Sequence, residues 1–266
     1  MLDDPRSNRV KGIVRLNQKD ARYETGLFLL EGPQGLKELE KSPRLIEEVF
    51  VTASAWERYR EVLAGLSDMG VAVEEVSDEV MSKISDTRTP QGVVAVVHHL
   101  DIELEALLSK EPVLLALIDQ GRDPGNLGSI IRAADAAGAD AVILSPDSVD
   151  VYNPKVVRST AGSILNVPIV VDQDLVEAIS KIKSAGIQVF SSSSAGQDVT
   201  QVSVAEMAKP TAWVFGNEAH GVTNEVAKNA DKTMSLPIYG AAESLNLGIA
   251  ASICLYLTAV AQHTNR

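Results

Sequence analysis

Three blocks in the C-terminal half hold the polar side chains best placed to do chemistry: Asn126-Leu-Gly-Ser-Ile-Ile-Arg132, Phe215-Gly-Asn-Glu-Ala-His-Gly221 and Leu236-Pro-Ile-Tyr-Gly-Ala-Ala-Glu-Ser-Leu-Asn-Leu-Gly248. Each follows an apolar, strand-like run. In the first, Gly121, Pro124, Gly125 and Gly128 predict a tight loop, with a helix starting near Gly128 or Ser129. Backbone N–H groups at a helix start favour anions, and Arg132 adds a rigid five-donor fork, so Asn126 and Arg132 suit a phosphate or a ribose. The same residues also read as a Gly-rich turn and a surface charge. In the second block Gly216 permits close backbone approach to a ligand, and Glu218 falls near the sheet edge where α/β proteins place ligands. A polar turn, with Glu218 capping a helix after Thr223, is the alternative. In the third block Ser244 is a good N-cap type, which leaves the polar Asn246 unexplained. His220 has no Cys or second His at ligand spacing, so no metal site is expected.

The elements that must position these groups form two sets. Residues 8–22 predict a helix, Gly26–Glu31 a strand, and Gly32 and Pro33 a break before a helix through Lys41. A strand over Leu45–Thr52, a helix over Ala53–Leu66, a strand over Val71–Val76, a short helix over Asp78–Ile84 capped by Ser77 or Asp78, and a strand over Val93–His98 complete a small α/β unit, residues 1–100. Residues 101–111 are acidic and Leu-rich and read as a linker, with some helical character. Residues 112–266 alternate strands (112–119, 141–144, 167–171, 188–190, 212–215, 233–238) with helices (129–137, 155–163, 174–185, 224–229), ending in a helix over 245–262. Fully apolar strands such as Pro112–Ile118 argue for a mostly parallel sheet covered on both faces. Gly248, Ala250, Ala251 and Ser252 would let the last helix pack closely on another backbone.

Composition narrows the classes. The 266 residues carry a net charge of −12, with 45% hydrophobic and 23% charged residues, ordinary for a soluble globular chain. Residues 1–110 hold 14 basic and 20 acidic groups and residues 111–266 hold 10 and 16, so each part is −6. No domain is a general phosphate magnet. The segment with Arg6, Arg9, Lys11, Arg15, Lys19 and Arg22 is locally positive, either as a basic patch or as a solvated helix face. Cys254 alone excludes an internal disulfide and reads as a small buried hydrophobe. No secretory signal is expected, and the longest apolar run falls short of a bilayer span, so a cytoplasmic protein with no membrane partner is expected.

Together the three blocks resemble the signature motifs of the SpoU-type (TrmH-like) RNA ribose 2′-O-methyltransferases of the SPOUT superfamily. The resemblance covers roughly residues 112–262. Less specifically, Glu24–Gly32 and Thr89-Pro-Gln-Gly-Val-Val94 resemble the small α/β RNA substrate-binding domain often placed ahead of the catalytic one. The resemblance implies a SPOUT domain with a deep trefoil knot, which sequence physics would not suggest. It implies S-adenosyl-L-methionine as cofactor, RNA as substrate (ribosomal RNA preferred, transfer RNA second) and a homodimer. It assigns Asn126, Arg132, Glu218, Ser244 and Asn246 to catalysis, and Gly216, Leu236, Ile238 and Leu245 to cofactor contacts made largely through backbone. Leu247-Gly248-Ile249 replaces the commoner Val-Ser-Val after the third-motif Asn, a difference that bears on helix packing.

Methyl transfer to a ribose 2′-OH is an in-line displacement that must also dispose of the hydroxyl proton. A guanidinium holds its proton at neutral pH and is a poor general base. Arg132 is therefore expected to bind the phosphate beside the target ribose and to stabilise charge developing on O2′. Asn126, Ser244 and Asn246 would orient the ribose and Arg132, and Glu218 would anchor loops or Arg132. A non-catalytic RNA-binding protein would not need this complete polar set. A nucleotide-dependent oxidoreductase would need a Gly-x-Gly-x-x-Gly spacing that residues 121–128 lack.

Overall fold

A computed structural model describes residues 1–264 and divides the chain into two compact units. Met1–His99 and Asp150–Leu165 form the first; Leu100–Val149 and Asn166 onward form the second. The expected division into 1–100, 101–111 and 112–266 has no place for that exchange. Nor is 101–111 a free tether: it carries the helix Leu104–Leu108, whose Leu104 and Leu107 are buried in the core of the second unit.

The first unit is built on a four-stranded sheet of β1 (Leu27–Glu31), β2 (Ile46–Val51), β3 (Val73–Glu75) and β4 (Val93–His98), in the order β1-β4-β2-β3. Only β2 and β3 pair in parallel; β4 runs antiparallel to both its neighbours. Ser77 caps the helix Asp78–Ile84 by accepting from the Val80 N–H at 3.2 Å, as its position predicts. The helix expected over 8–22 is two helices, Asn8–Arg15 and Lys19–Thr25, and that over 53–66 also divides, at Tyr59. The local basic segment is largely neutralised. Arg9 pairs with Glu48 at 2.6 Å and Glu74 at 2.8 Å, which raises its pKa chiefly through the Glu48 hydrogen bond. Arg15 pairs with Glu24. Arg22 is buried: its guanidinium pairs with Asp150 and donates to the Leu16 carbonyl at 2.8 Å. That pair ties the late segment Asp150–Leu165 to the N-terminal helices.

The second unit has a six-stranded sheet of β5 (Leu114–Ile118), β6 (Ala141–Leu144), β7 (Ile169–Val170), β8 (Gln188–Asp198), β9 (Thr211–Phe215) and β10 (Lys232–Ser235). Its order is β10-β8-β9-β5-β6-β7, and every neighbouring pair is parallel. Strands β5, β6 and β9 are buried throughout, as helices on both faces require. β8 runs well beyond the expected 188–190, because its Ser-rich second half pairs with β10 without an apolar pattern to announce it.

The final helix spans Leu247–Thr264. Its 18 residues are apolar enough to cross a membrane by length and composition alone, yet it is bound into the domain by polar contacts. Thr258 accepts from the Trp213 indole N–H at 2.9 Å, and the Gln262 amide donates to the Val113 carbonyl at 2.8 Å. Gly248 lets it approach the helix Pro124–Ala137: a Cβ there would meet the Ser129 Cβ at 3.0 Å. Cys254 is buried on this helix, and burial pushes its thiol up to about 12.

Candidate active site

Strand order reverses between β5 and β9, with β6 and β7 to one side and β8 and β10 to the other. In open parallel sheets the crevice at such a reversal, outside the carboxyl ends, is where ligands bind. The first two blocks stand there. Asp119 ends β5, is 4% exposed, and donates its backbone N–H to the Phe215 carbonyl at 2.8 Å. Its carboxylate accepts from the Thr223 N–H at 2.7 Å, holding the far end of the second block. Asn217 closes that loop through paired backbone bonds with Gly221, and its side chain donates to the Gln120 carbonyl at 3.1 Å. Gly216 is required here for a reason internal to the loop: a Cβ would overlap the backbone of Gly221 and Val222. The close approach expected toward a ligand is made by the loop itself.

Asn126 lies in the first turn of a helix that starts at Pro124, earlier than Gly128 or Ser129. Asp123 is its N-cap, accepting from the Asn126 N–H at 2.7 Å. The Asp-Pro pair is a strong start signal; the neighbouring glycines masked it. The Asn126 side chain donates to the Glu218 carboxylate and accepts from the Asn246 amide at 2.8 Å. One residue from each block thus meets in a continuous chain, across 92 and 120 residues of sequence. Asn246 also caps the final helix, its Oδ1 accepting from the Ile249 N–H at 3.2 Å. The cap expected at Ser244 is therefore two residues later, and the two contacts of Asn246 explain the polar residue that a Ser244 cap could not.

The other expected residues are placed but not joined to this network. Arg132 is exposed on the Pro124–Ala137 helix, six positions and about 9 Å of axial rise beyond Asn126. Ser244 is exposed in the loop before the final helix. Among the described residues neither side chain makes a hydrogen bond. Gly216 follows β9, while Leu236 and Ile238 follow β10, at the same carboxyl edge of the sheet. Leu236 and Leu245 are half-buried, whereas Ile238 is 37% exposed. Residues 236–245 form no regular structure, so their peptide groups lack ladder partners. Among the described residues no group of three or more His, Cys, Asp or Glu could hold a metal. Sequence reasoning passed over Asp119 and Asn217 as positioning residues. An Asp ending a fully apolar strand and an Asn following Gly216 were the available signals.

The SpoU rRNA Methylase family model matches residues 113–256, and an MRM3-like substrate binding domain matches residues 7–95. The Bacillus subtilis 23S rRNA (guanosine(2553)-2′-O)-methyltransferase RlmP is 34% identical over 96% of this chain and 97% of its own. An AdoMet-bound rRNA methyltransferase from Sinorhizobium meliloti superposes with a TM-score of 0.84 at 32% identity, over 97% of this chain and 96% of that one. The SpoU methyltransferase AviRb from Streptomyces viridochromogenes, in complex with AdoMet, superposes at 0.82 with 27% identity, over 98% and 100%. Motif geometry, family model and full-length relatives agree: this chain belongs to the SpoU rRNA methylase family.

Proposed function

We propose that the protein transfers a methyl group from S-adenosylmethionine to a ribose 2′-OH of ribosomal RNA. The observation that carries this is the Glu218–Asn126–Asn246 chain at the strand-order reversal. Relatives named as 23S rRNA 2′-O-methyltransferases favour ribosomal over transfer RNA, and a cytoplasmic location belongs to the same proposal. The loop 236–245 fits the cofactor: Leu236, Ile238 and Leu245 offer apolar contact for adenine, and unladdered peptide groups beside them offer its hydrogen bonds. Gly216 ends the adjoining wall. The trefoil knot implied by the family resemblance belongs to the same proposal.

When bound, the cofactor supplies an electrophilic methyl on a sulfonium. The chain's own residues do the rest. Asn126, fixed by Glu218 and Asn246, presents a preorganised amide, and Ser244 adds a hydroxyl on the loop before Asn246. Arg132 holds the neighbouring phosphate and stabilises O2′ as the C–O bond forms and the C–S bond breaks. The hydroxyl proton leaves late, to phosphate or water. Glu218 serves as the anchor of the loops, through Asn126.

The homodimer is part of the proposal. Ile249, Ile253, Tyr256, Leu257 and Val260 are 38–57% exposed along one stripe of the final helix, at the spacing of a continuous apolar face. A second copy covering that stripe would remove the exposure.

The test is to incubate the purified protein with a 23S rRNA transcript and methyl-labelled S-adenosylmethionine, then map 2′-O-methyls. One labelled ribose is expected; no label in ribosomal RNA, or label on a base, overturns the reading. Arg132→Lys should lose most turnover, and near-full activity in that variant would remove the role of the planar fork.

A further inference from the structure

The first unit contains a cavity of about 230 Å³, with mixed polar and apolar walls, that the catalytic reading does not use. All its walls belong to that unit: the end of β1, the start of the Pro33–Leu39 helix, the turn 87–91 and the segment 157–162. It lies below the roughly 300–1,000 Å³ of pockets for drug-sized ligands, so it suits one planar ring system better than a whole nucleotide. Its charges are already satisfied. The Glu31 carboxylate, 9% exposed, accepts from the Asp86 N–H at 2.7 Å and the Thr87 hydroxyl at 3.0 Å, and lies 3.9 Å from Arg158. Arg158 donates to Asp86 at 2.8 Å. With one carboxylate and one engaged guanidinium in its lining, the cavity is formally neutral, which disfavours a phosphate.

What the cavity does present is amides. Gln34 and Gln91 are exposed at its rim, and among the described residues neither side-chain amide has a hydrogen-bond partner. Gln91 can lie flat because Gly32 has no side chain: a Cβ there would meet its Oε1 at 3.3 Å. The opposite wall is strained. Ala161 has φ of 50° and Gly162 of 96°; the left-handed conformation costs a non-glycine residue about 1–2 kcal/mol, and such strain gathers at ligand sites. Each amide both donates and accepts, which matches the edge of a nucleobase, and the Arg158 plane offers a stacking surface of the kind used for unstacked bases. The chain's net charge of −12 points the same way, since base contacts must supply what phosphate attraction does not.

We propose that this cavity receives one unstacked base of the RNA substrate, read by Gln34 and Gln91, and so helps to select the methylation site. The inference rests on the proposed RNA methyltransferase activity and adds a recognition site to it. The test measures binding of 23S rRNA fragments by fluorescence anisotropy, together with kcat and KM for methyl transfer, for wild type, the double variant Gln34→Ala/Gln91→Ala and the milder Gln91→Glu. The double variant should bind its best fragment about tenfold more weakly and raise KM similarly, with kcat at saturating RNA and the Kd for S-adenosylmethionine within twofold of wild type. Gln91→Glu, which replaces a donor by an acceptor with almost no change of shape, should alter which substitution near the target is tolerated. If wild type methylates RNA and both variants bind and select it equally well, the cavity has no such role and the catalytic reading stands. If wild type neither binds nor methylates ribosomal RNA, both fall.

Discussion

Two sets of long-range polar contacts hold this chain together, and they differ in one respect: access to water. Arg22 and Asp150 meet with side chains 2% and 5% exposed. Asn126, Glu218 and Asn246 meet in a chain whose members are half-buried or exposed. Removing one partner from the first leaves an uncompensated buried charge, which is costly. Removing one from the second returns the others to water at little cost, while disordering the groups of the proposed site. Contacts of similar sequence separation are thus buried in one unit and open to water in the other, where the proposed chemistry lies.

The largest effect should come from breaking the buried pair. Asp150→Ala is expected to destabilise by about 3–5 kcal/mol, read as a lower urea midpoint, and a change below about 1 kcal/mol would erase the contrast. The double change Arg22→Met/Asp150→Leu should recover most of that loss, because a well-packed apolar pair carries no desolvation penalty. In the open network, Glu218→Ala should reduce turnover by about 10²-fold or more yet shift stability by no more than about 0.5 kcal/mol. A large fall in melting temperature would make Glu218 structural instead. Asn246 stands between the two behaviours. Asn246→Ala should cost about 1 kcal/mol through its lost cap, whereas Asn246→Asp keeps the cap acceptor and loses the donor to Asn126, so it should be stable and slow.

A smaller effect concerns Asp231, which accepts from the Val189 N–H at 2.7 Å and pairs with Lys183 at 2.7 Å. Burial alone would raise its pKa; the Lys183 and Val189 contacts outweigh this and lower it from 3.8. Its contribution is therefore complete above the unfolded value and is lost as pH falls through the lower, folded value. Asp231→Asn should flatten the acid limb of stability measured between about pH 2 and pH 5. The smallest effect is none: native Cys254 should resist a thiol alkylator at pH 8, since only thiolate reacts and burial holds the thiol protonated.

What was legible in the sequence follows the same physics. Apolar β5, β6 and β9, and the cap at Ser77, were readable because burial and capping leave residue-type signatures. The three motifs were readable by resemblance, but their meeting through Asn126 was not, since no local pattern records which loop a side chain will touch. The helix start at Pro124 was obscured because Gly125 and Gly128 suggest a loop while Asp123 and Pro124 specify a cap. The place of Asp150–Leu165 was hidden for a deeper reason. Its fold unit is decided by partners such as Arg22, more than a hundred residues earlier.

That excursion of the chain has a consequence for its synthesis. At about 5–20 residues per second, a ribosome needs on the order of 3–13 s to extend a nascent chain from residue 99 to residue 165. Until residue 150 is added, the guanidinium of Arg22 lacks the carboxylate it closes on, while β5 and β6 are already being made. The first unit therefore cannot be completed until the opening third of the second has been made, although its own chain is finished about a hundred residues before the second's.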